Sequence, residues 1–205
     1  MAVTEMPLIA VLRGIAPDEV PAVADVLVEA GFRLIEVPLN SPRPFDSIAK
    51  LAACCPAGVV VGAGTVLSPD QVVRLAATGA ALMVTPDSNP DVIVAGVEAG
   101  LVTVIGCMTP SEALSALRHG AQCLKIFPAA RLGPAYLKDV RAVLPKETRL
   151  FAVGGIGADD MAAFHEAGAD GFGFGSNLYA PGRAVTEVGT IARDLVAAFQ
   201  RLQGG

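Results

Sequence analysis

The 205-residue chain has no tryptophan, two tyrosines, two histidines, four cysteines and only four lysines. Each scarcity excludes something. His119 and His165 are far apart and no cluster of acids accompanies them, which disfavours a metal-dependent enzyme. Each precedes the end of a predicted helix, where the helix dipole favours histidine in a structural role. Cys54, Cys55, Cys107 and Cys123 lack metal-ligand spacing, and read as buried or half-buried free thiols of a reducing, cytoplasmic compartment. The net charge is −5 with no basic cluster, so nucleic acid and anionic membranes are not expected partners. Residues 1–7 carry an acid and no basic segment, so no secretory leader is expected. Long apolar runs are missing too. Residues 59–67 and 101–108 are the longest, well short of the roughly 20 that a membrane-spanning helix requires.

Yet 53% of the residues are hydrophobic and the mean hydropathy is +0.55. Short Val/Ile/Leu runs in a water-soluble chain fit a parallel sheet covered by helices on its outer face. A repeated phrase supports this. A helical stretch ends in a small residue plus glycine, and a β-rich run follows. It occurs around Gly31, Gly79, Gly100, Gly120 and Gly168. Glycine suits the left-handed position that closes a helix.

Filling the gaps predicts strands at about 8–13, 33–38, 58–64, 81–86, 101–106, 122–127, 149–154 and 170–175. Helix starts are marked at Pro17-Asp18-Glu19, Ser68-Pro69-Asp70, Asn89-Pro90-Asp91, Thr109-Pro110-Ser111-Glu112 and Ala158-Asp159-Asp160. A Ser, Thr or Asn before proline caps a helix because its oxygen satisfies a free N–H that proline lacks. Eight such units predict a single-domain (β/α)8 TIM barrel over residues 1–205, with a doubly wound open sheet as the alternative. Residues 203–205 read as a loose tail.

Barrels place their chemistry where strands end. Polar or glycine residues interrupt the predicted strand ends at Arg13, Glu36, Thr65, Lys125, Gly154-Gly155 and Gly175-Ser176. Lys125, in Cys123-Leu124-Lys125-Ile126-Phe127, is the only lysine in an apolar strand. Strand alternation sends Leu124 and Ile126 toward the helices and Lys125 into the barrel. Desolvation there favours a neutral, nucleophilic amine. The structural alternative is a lysine paired with a buried carboxylate or a ligand phosphate. Glu36 is either its counter-ion or a general acid and base. Arg13 either grips a carboxylate or phosphate in a guanidinium fork or pairs with Glu36. Thr65 offers a hydroxyl. The glycines after strands seven and eight stand where barrels build phosphate sites from backbone N–H groups and a short helix N-terminus.

These residues lie in the motifs Ile9-Ala-Val-Leu-Arg-Gly, Ile35-Glu-Val-Pro-Leu-Asn-Ser-Pro, Val61-Gly-Ala-Gly-Thr-Val, Leu124-Lys-Ile-Phe-Pro and Phe151-Ala-Val-Gly-Gly-Ile. Over about residues 6–200 the chain resembles the 2-keto-3-deoxy-6-phosphogluconate/galactonate class I aldolases. The resemblance implies a Schiff-base role for Lys125 and acid/base work by Glu36. Arg13 and Thr65 would hold the carboxylate of the pyruvate half, and Gly154, Gly155, Gly175 and Ser176 the phosphate. It also implies a homotrimer with neither metal nor organic cofactor. Glu36-Val-Pro-Leu-Asn-Ser and Ala152-Val-Gly-Gly look like the galactonate branch, with Val153 and Pro38 shaping the pocket near C4. The implied reaction is cleavage of 2-dehydro-3-deoxy-6-phospho-D-galactonate to pyruvate and D-glyceraldehyde 3-phosphate. The gluconate epimer is the alternative substrate, alone or in addition. A phosphosugar isomerase or epimerase, and a non-catalytic phosphosugar sensor, fit less well, since neither accounts for Lys125 paired with Glu36.

Overall fold

The computed structural model describes residues 6–204. Most of the leader expectation at residues 1–7, and the last residue of the expected tail, fall outside that range. Eight parallel strands close into a barrel in chain order: β1 Leu8–Val11, β2 Leu34–Pro38, β3 Val60–Gly64, β4 Leu82–Val84, β5 Val102–Cys107, β6 Cys123–Ile126, β7 Arg149–Val153 and β8 Gly171–Phe174. Pairing of β1 with β8 completes the ring, so the open-sheet alternative is excluded. The outer helices are α1 Val20–Ala30, α2 Pro44–Cys54, α3 Pro69–Ala76, α4 Pro90–Glu98, α5 Pro110–Arg118, α6 Ala129–Arg141, α7 Met161–Glu166 and α8 Val185–Gln203.

Alternation along the strands builds two cores. Ile9, Val11, Leu34, Leu82, Val84, Val104, Cys123, Phe151 and Val153 fill the barrel. Leu8, Ala10, Ile35, Met83, Ile105, Leu124 and Ile126 belong to the layer between sheet and helices. This double burial is what the high hydrophobic fraction reflects. The wall opposite Gly171 is built by Phe151, whose ring atom would stand 2.6 Å from a Cβ at that glycine.

The local signals work as their chemistry requires. Ser68, Asn89 and Thr109 accept backbone N–H bonds from the first turns of α3, α4 and α5, and Thr109 with Glu112 forms a complete capping box. All five phrase-ending glycines have positive φ. His119 and His165 each hydrogen-bond a nearby carbonyl, of Ser115 and Ala169, and have structural places at helix ends.

Three expectations need correction. The start marked at residue 17 gives only turns before α1 begins at Val20, because Glu19 makes no side-chain cap to the helix. Residues 158–160 form a 3-10 turn, and α7 follows it. Cys54 is exposed and Cys55 half-buried, since both sit at the outer end of α2, whereas Cys107 and Cys123 are buried as expected.

Candidate active site

At the C-terminal ends of the strands lies a cavity of about 350 Å³. Every strand except β5 sends a residue to its wall or to the loop just beyond: Val11, Arg13, Glu36, Thr65, Pro86, Lys125, Phe127, Val153 and the two glycine loops. The reason β5 is absent is local. A Cβ at Gly106 would lie 2.4 Å from the Pro86 carbonyl carbon, so only glycine lets the 85–86 segment press inward. Thr85 fixes that segment, its hydroxyl donating to the Asp87 carbonyl and accepting from the Gly106 N–H at 3.0 Å.

Lys125 sits on β6 beside Gly106 and Phe151 and is 7% exposed. Its Nζ is 5.3 Å from the centre of the Phe127 ring. Burial pushes its pKa down from 10.5 to about 8, and the Arg13 charge pushes the same way, against the pull of Glu36. At pH 7 the neutral fraction is then about a tenth, against roughly one in three thousand for an ordinary lysine. That difference separates a usable nucleophile from an inert one.

Glu36 is 3% exposed. Burial lifts its carboxyl from 4.5 to about 7, while Lys125 and Arg13 pull it back. Its Oε2 is buried without a hydrogen-bond partner. Among the described residues Glu36 makes no ion pair within 4.0 Å with Lys125 or Arg13. The three side chains therefore act on one another through their charges and not through a direct ion pair. Glu36 owes its room to Gly64, where a Cβ would fall 2.0 Å from Oε2.

Arg13 stands at the rim, its Nη1 donating to Asn40 Oδ1 at 2.6 Å. Thr65 has φ of 56°, the left-handed region that a β-branched residue avoids at a cost of roughly 1–3 kcal/mol. That strain turns the chain sharply at the end of β3 and leaves Thr65 on the cavity wall. Gly154 and Gly155 have φ of 101° and 78°, and side chains there would press on Phe127 and Ala130. Between β8 and α8 no further helix forms. Leu178 and Tyr179 donate to the Gly175 carbonyl, so residues 175–179 make one helical turn. The first N–H groups of such a turn lack partners within it and suit an anion.

One expected site residue is elsewhere. Pro38 is buried at the last rung of β2, paired with Gly64, and does not line the cavity; Val153 does. Four wall residues were not among the expected site residues: Val11, Pro86, Phe127 and Asn177. Asn177 ties the two glycine loops together by donating from Nδ2 to the Ile156 carbonyl at 2.8 Å. Proline and asparagine in loops read as turn formers, so no signal separated these from their neighbours.

A family model described as KDPG and KHG aldolase matches residues 1–188. The chain belongs to that family. A Rhizobium meliloti (strain 1021) protein named as a probable 2-dehydro-3-deoxy-6-phosphogalactonate aldolase is 46% identical over 201 residues, 98% of this chain and 95% of its own. An Escherichia coli (strain K12) protein named 2-dehydro-3-deoxy-6-phosphogalactonate aldolase is 44% identical over 197 residues, 96% of each chain. A solved structure described as native KDPGal superposes with a TM-score of 0.97 at 42% identity, covering 98% of both chains. Among the described residues of this aldolase, no group of three or more His, Cys, Asp or Glu could hold a metal ion, and no helix is long and apolar enough to cross a membrane.

Proposed function

We propose that this aldolase cleaves 2-dehydro-3-deoxy-6-phospho-D-galactonate to pyruvate and D-glyceraldehyde 3-phosphate through a Schiff base on Lys125. The observation that carries the reading is a lysine almost wholly buried in an apolar strand, opening on a cavity beside a carboxylate with an unpartnered oxygen. Neutral Lys125 attacks the C2 ketone, and loss of water from the carbinolamine leaves a protonated imine. The C4 hydroxyl gives its proton to Glu36, directly or through a water. The electrons of the C3–C4 bond move into the imine to form an enamine as C4 becomes the aldehyde. Glu36 returns the proton to C3, and water releases pyruvate and the free amine. Arg13 and Thr65 hold the substrate carboxylate. The loops at Gly154-Gly155 and Gly175-Ser176 hold the phosphate through backbone N–H groups. The protein works as a cytoplasmic homotrimer in the same reading, and a sedimentation mass of one chain would remove the trimer from it.

Borohydride added with pyruvate is expected to leave a reduced pyruvyl adduct on the Lys125 peptide. An adduct elsewhere, or none, rules out the scheme. Comparing kcat/KM on the galactonate and gluconate substrates decides the branch, which similarity to the galactonate-named relatives and the place of Val153 on the wall both support.

The pH dependence follows from the amine. Attack needs neutral Lys125, and proton abstraction needs ionised Glu36, so lowering pH through about 8 and then about 7 removes both forms. We expect kcat/KM to rise at least tenfold from pH 6 to pH 8 and to level off above. A profile flat from 6 to 8, or rising only above pH 9, would contradict the burial-lowered lysine.

A further inference from the structure

We propose that Asn40, seconded by Ser41, is a positioning residue that aims the Arg13 guanidinium at the substrate carboxylate while leaving its charge unspent. The inference rests on the carboxylate-binding role proposed for Arg13. Two hydrogen bonds tie the loop after β1 to the loop after β2. Arg13 Nη1 donates to Asn40 Oδ1 at 2.6 Å, and the Gly14 N–H donates to Ser41 Oγ at 2.9 Å. Ser41 is buried and its own N–H is bound to the Pro38 carbonyl, so it gives Gly14 a fixed partner. Gly14 has φ of 85° and a Cβ there would meet Pro181 at 2.8 Å, so the loop is also held on its other side.

The chemistry of the partner decides what this clamp can do. A free arginine at a cavity rim has many rotamers, and one short bond to a guanidinium nitrogen removes most of them. The usual partner would be Asp or Glu, and a carboxylate would both orient and neutralise the cation. Asparagine supplies only an amide oxygen. Arg13 makes no ion pair within 4.0 Å among the described residues. Its remaining N–H donors and its full charge stay available to an anion. The same charge helps hold the Lys125 pKa down and the Glu36 pKa from rising further. A neutral clamp therefore serves both substrate binding and the tuning of the catalytic pair. Asn40 is exposed, and substitutions at exposed sites usually change stability little.

The test uses Asn40→Ala, Asn40→Asp and Arg13→Ala in the full-length protein. Pyruvate affinity is read from the concentration dependence of borohydride trapping, and KM for glyceraldehyde 3-phosphate from the condensation direction. We expect Asn40→Ala to weaken pyruvate about tenfold, the size of one hydrogen bond to a charged group. Asn40→Asp should weaken it at least as much, with kcat/KM rising at higher pH than in the wild type. KM for glyceraldehyde 3-phosphate and the melting temperature should stay unchanged. In an Arg13→Ala background neither Asn40 change should weaken pyruvate further. Additive losses, a parallel loss of aldehyde phosphate affinity, or wild-type pyruvate affinity in Asn40→Asp would overturn the inference. Absence of trapping in the wild type would instead overturn the Schiff-base reading, and wild-type affinity in Arg13→Ala the role of Arg13.

Discussion

Replacing Lys125 by methionine is expected to abolish cleavage and to raise the melting temperature at neutral pH. The activity loss follows from removing the one lysine among the described residues of the cavity wall, the group able to form an imine. Deleting a covalent catalyst of this kind lowers kcat by about 10⁴- to 10⁶-fold. The gain in stability follows from the same burial that makes the amine reactive. Its pKa falls from 10.5 to about 8 on folding, so below pH 8 the folded protein holds a buried ammonium that the unfolded chain would solvate. The difference amounts to roughly 3 kcal/mol against the native state. Methionine fills similar volume without charge. Glu36 then loses its cation and takes up a proton more readily, which takes back part of the gain. A net rise of about 5 °C at pH 7 is expected for a chain of this length. The penalty is full below about 8 and fades as pH climbs toward 10.5, where the amine is neutral in both states. Melting curves of the two proteins at pH 7 and pH 10.5 should therefore differ and then converge. A Lys125→Met protein no more stable than the wild type at pH 7 would mean that the ammonium is well solvated in place.

A single methyl group at Gly62 is expected to do more damage than any loop substitution. Gly62 faces the barrel interior in register with Leu82, and a Cβ there would lie 1.8 Å from the Leu82 carbonyl oxygen. The obstacle is backbone on a neighbouring strand, so relief requires moving β3 from β4. Gly62→Ala should cost more than about 4 kcal/mol and lower the melting temperature by about 10 °C or more. Gly64→Ala, two residues along the same strand and face, makes the contrast. There the added atom would meet the carboxylate of Glu36, at 2.0 Å, which is the free end of a side chain. That variant should fold, melt near the wild type, and lose about 10²- to 10⁴-fold in kcat because Glu36 is displaced. Thermal denaturation and single-substrate kinetics on the pair separate the two effects. Equal melting temperatures for both variants would show that β3 can retreat without loss.

Much of this molecule was legible along the chain because its signals are local. A cap oxygen before proline at Ser68, Asn89 and Thr109 acts within one turn, and the glycine closing each helix acts at its own φ. Where the local signal is absent no helix start could be marked, or the start was misplaced. α2 has no side-chain cap, and its N-cap residue Arg43 has φ of 42°, an arrangement no sequence rule anticipates. The start expected at Ala158 gave a 3-10 turn before α7.

The sequence by itself determined the repeat of βα units, the family, and the identity of the cavity's reactive groups. It did so because a charged residue in an apolar strand is conspicuous without any coordinates: Lys125 and Glu36 each break a hydrophobic run. Only the tertiary structure decided how these groups stand to one another. Closure of β1 on β8 sets Glu36 on β2 across the cavity from Lys125 on β6 without an ion pair, and leaves Glu36 Oε2 unpartnered. Closure also left Pro38 outside the cavity and brought in Pro86 and Asn177, from loops that carry no charge to mark them. Distances across a barrel depend on strand register and on which glycines let neighbours approach. Those are sums over the whole ring, and no short stretch of chain contains them.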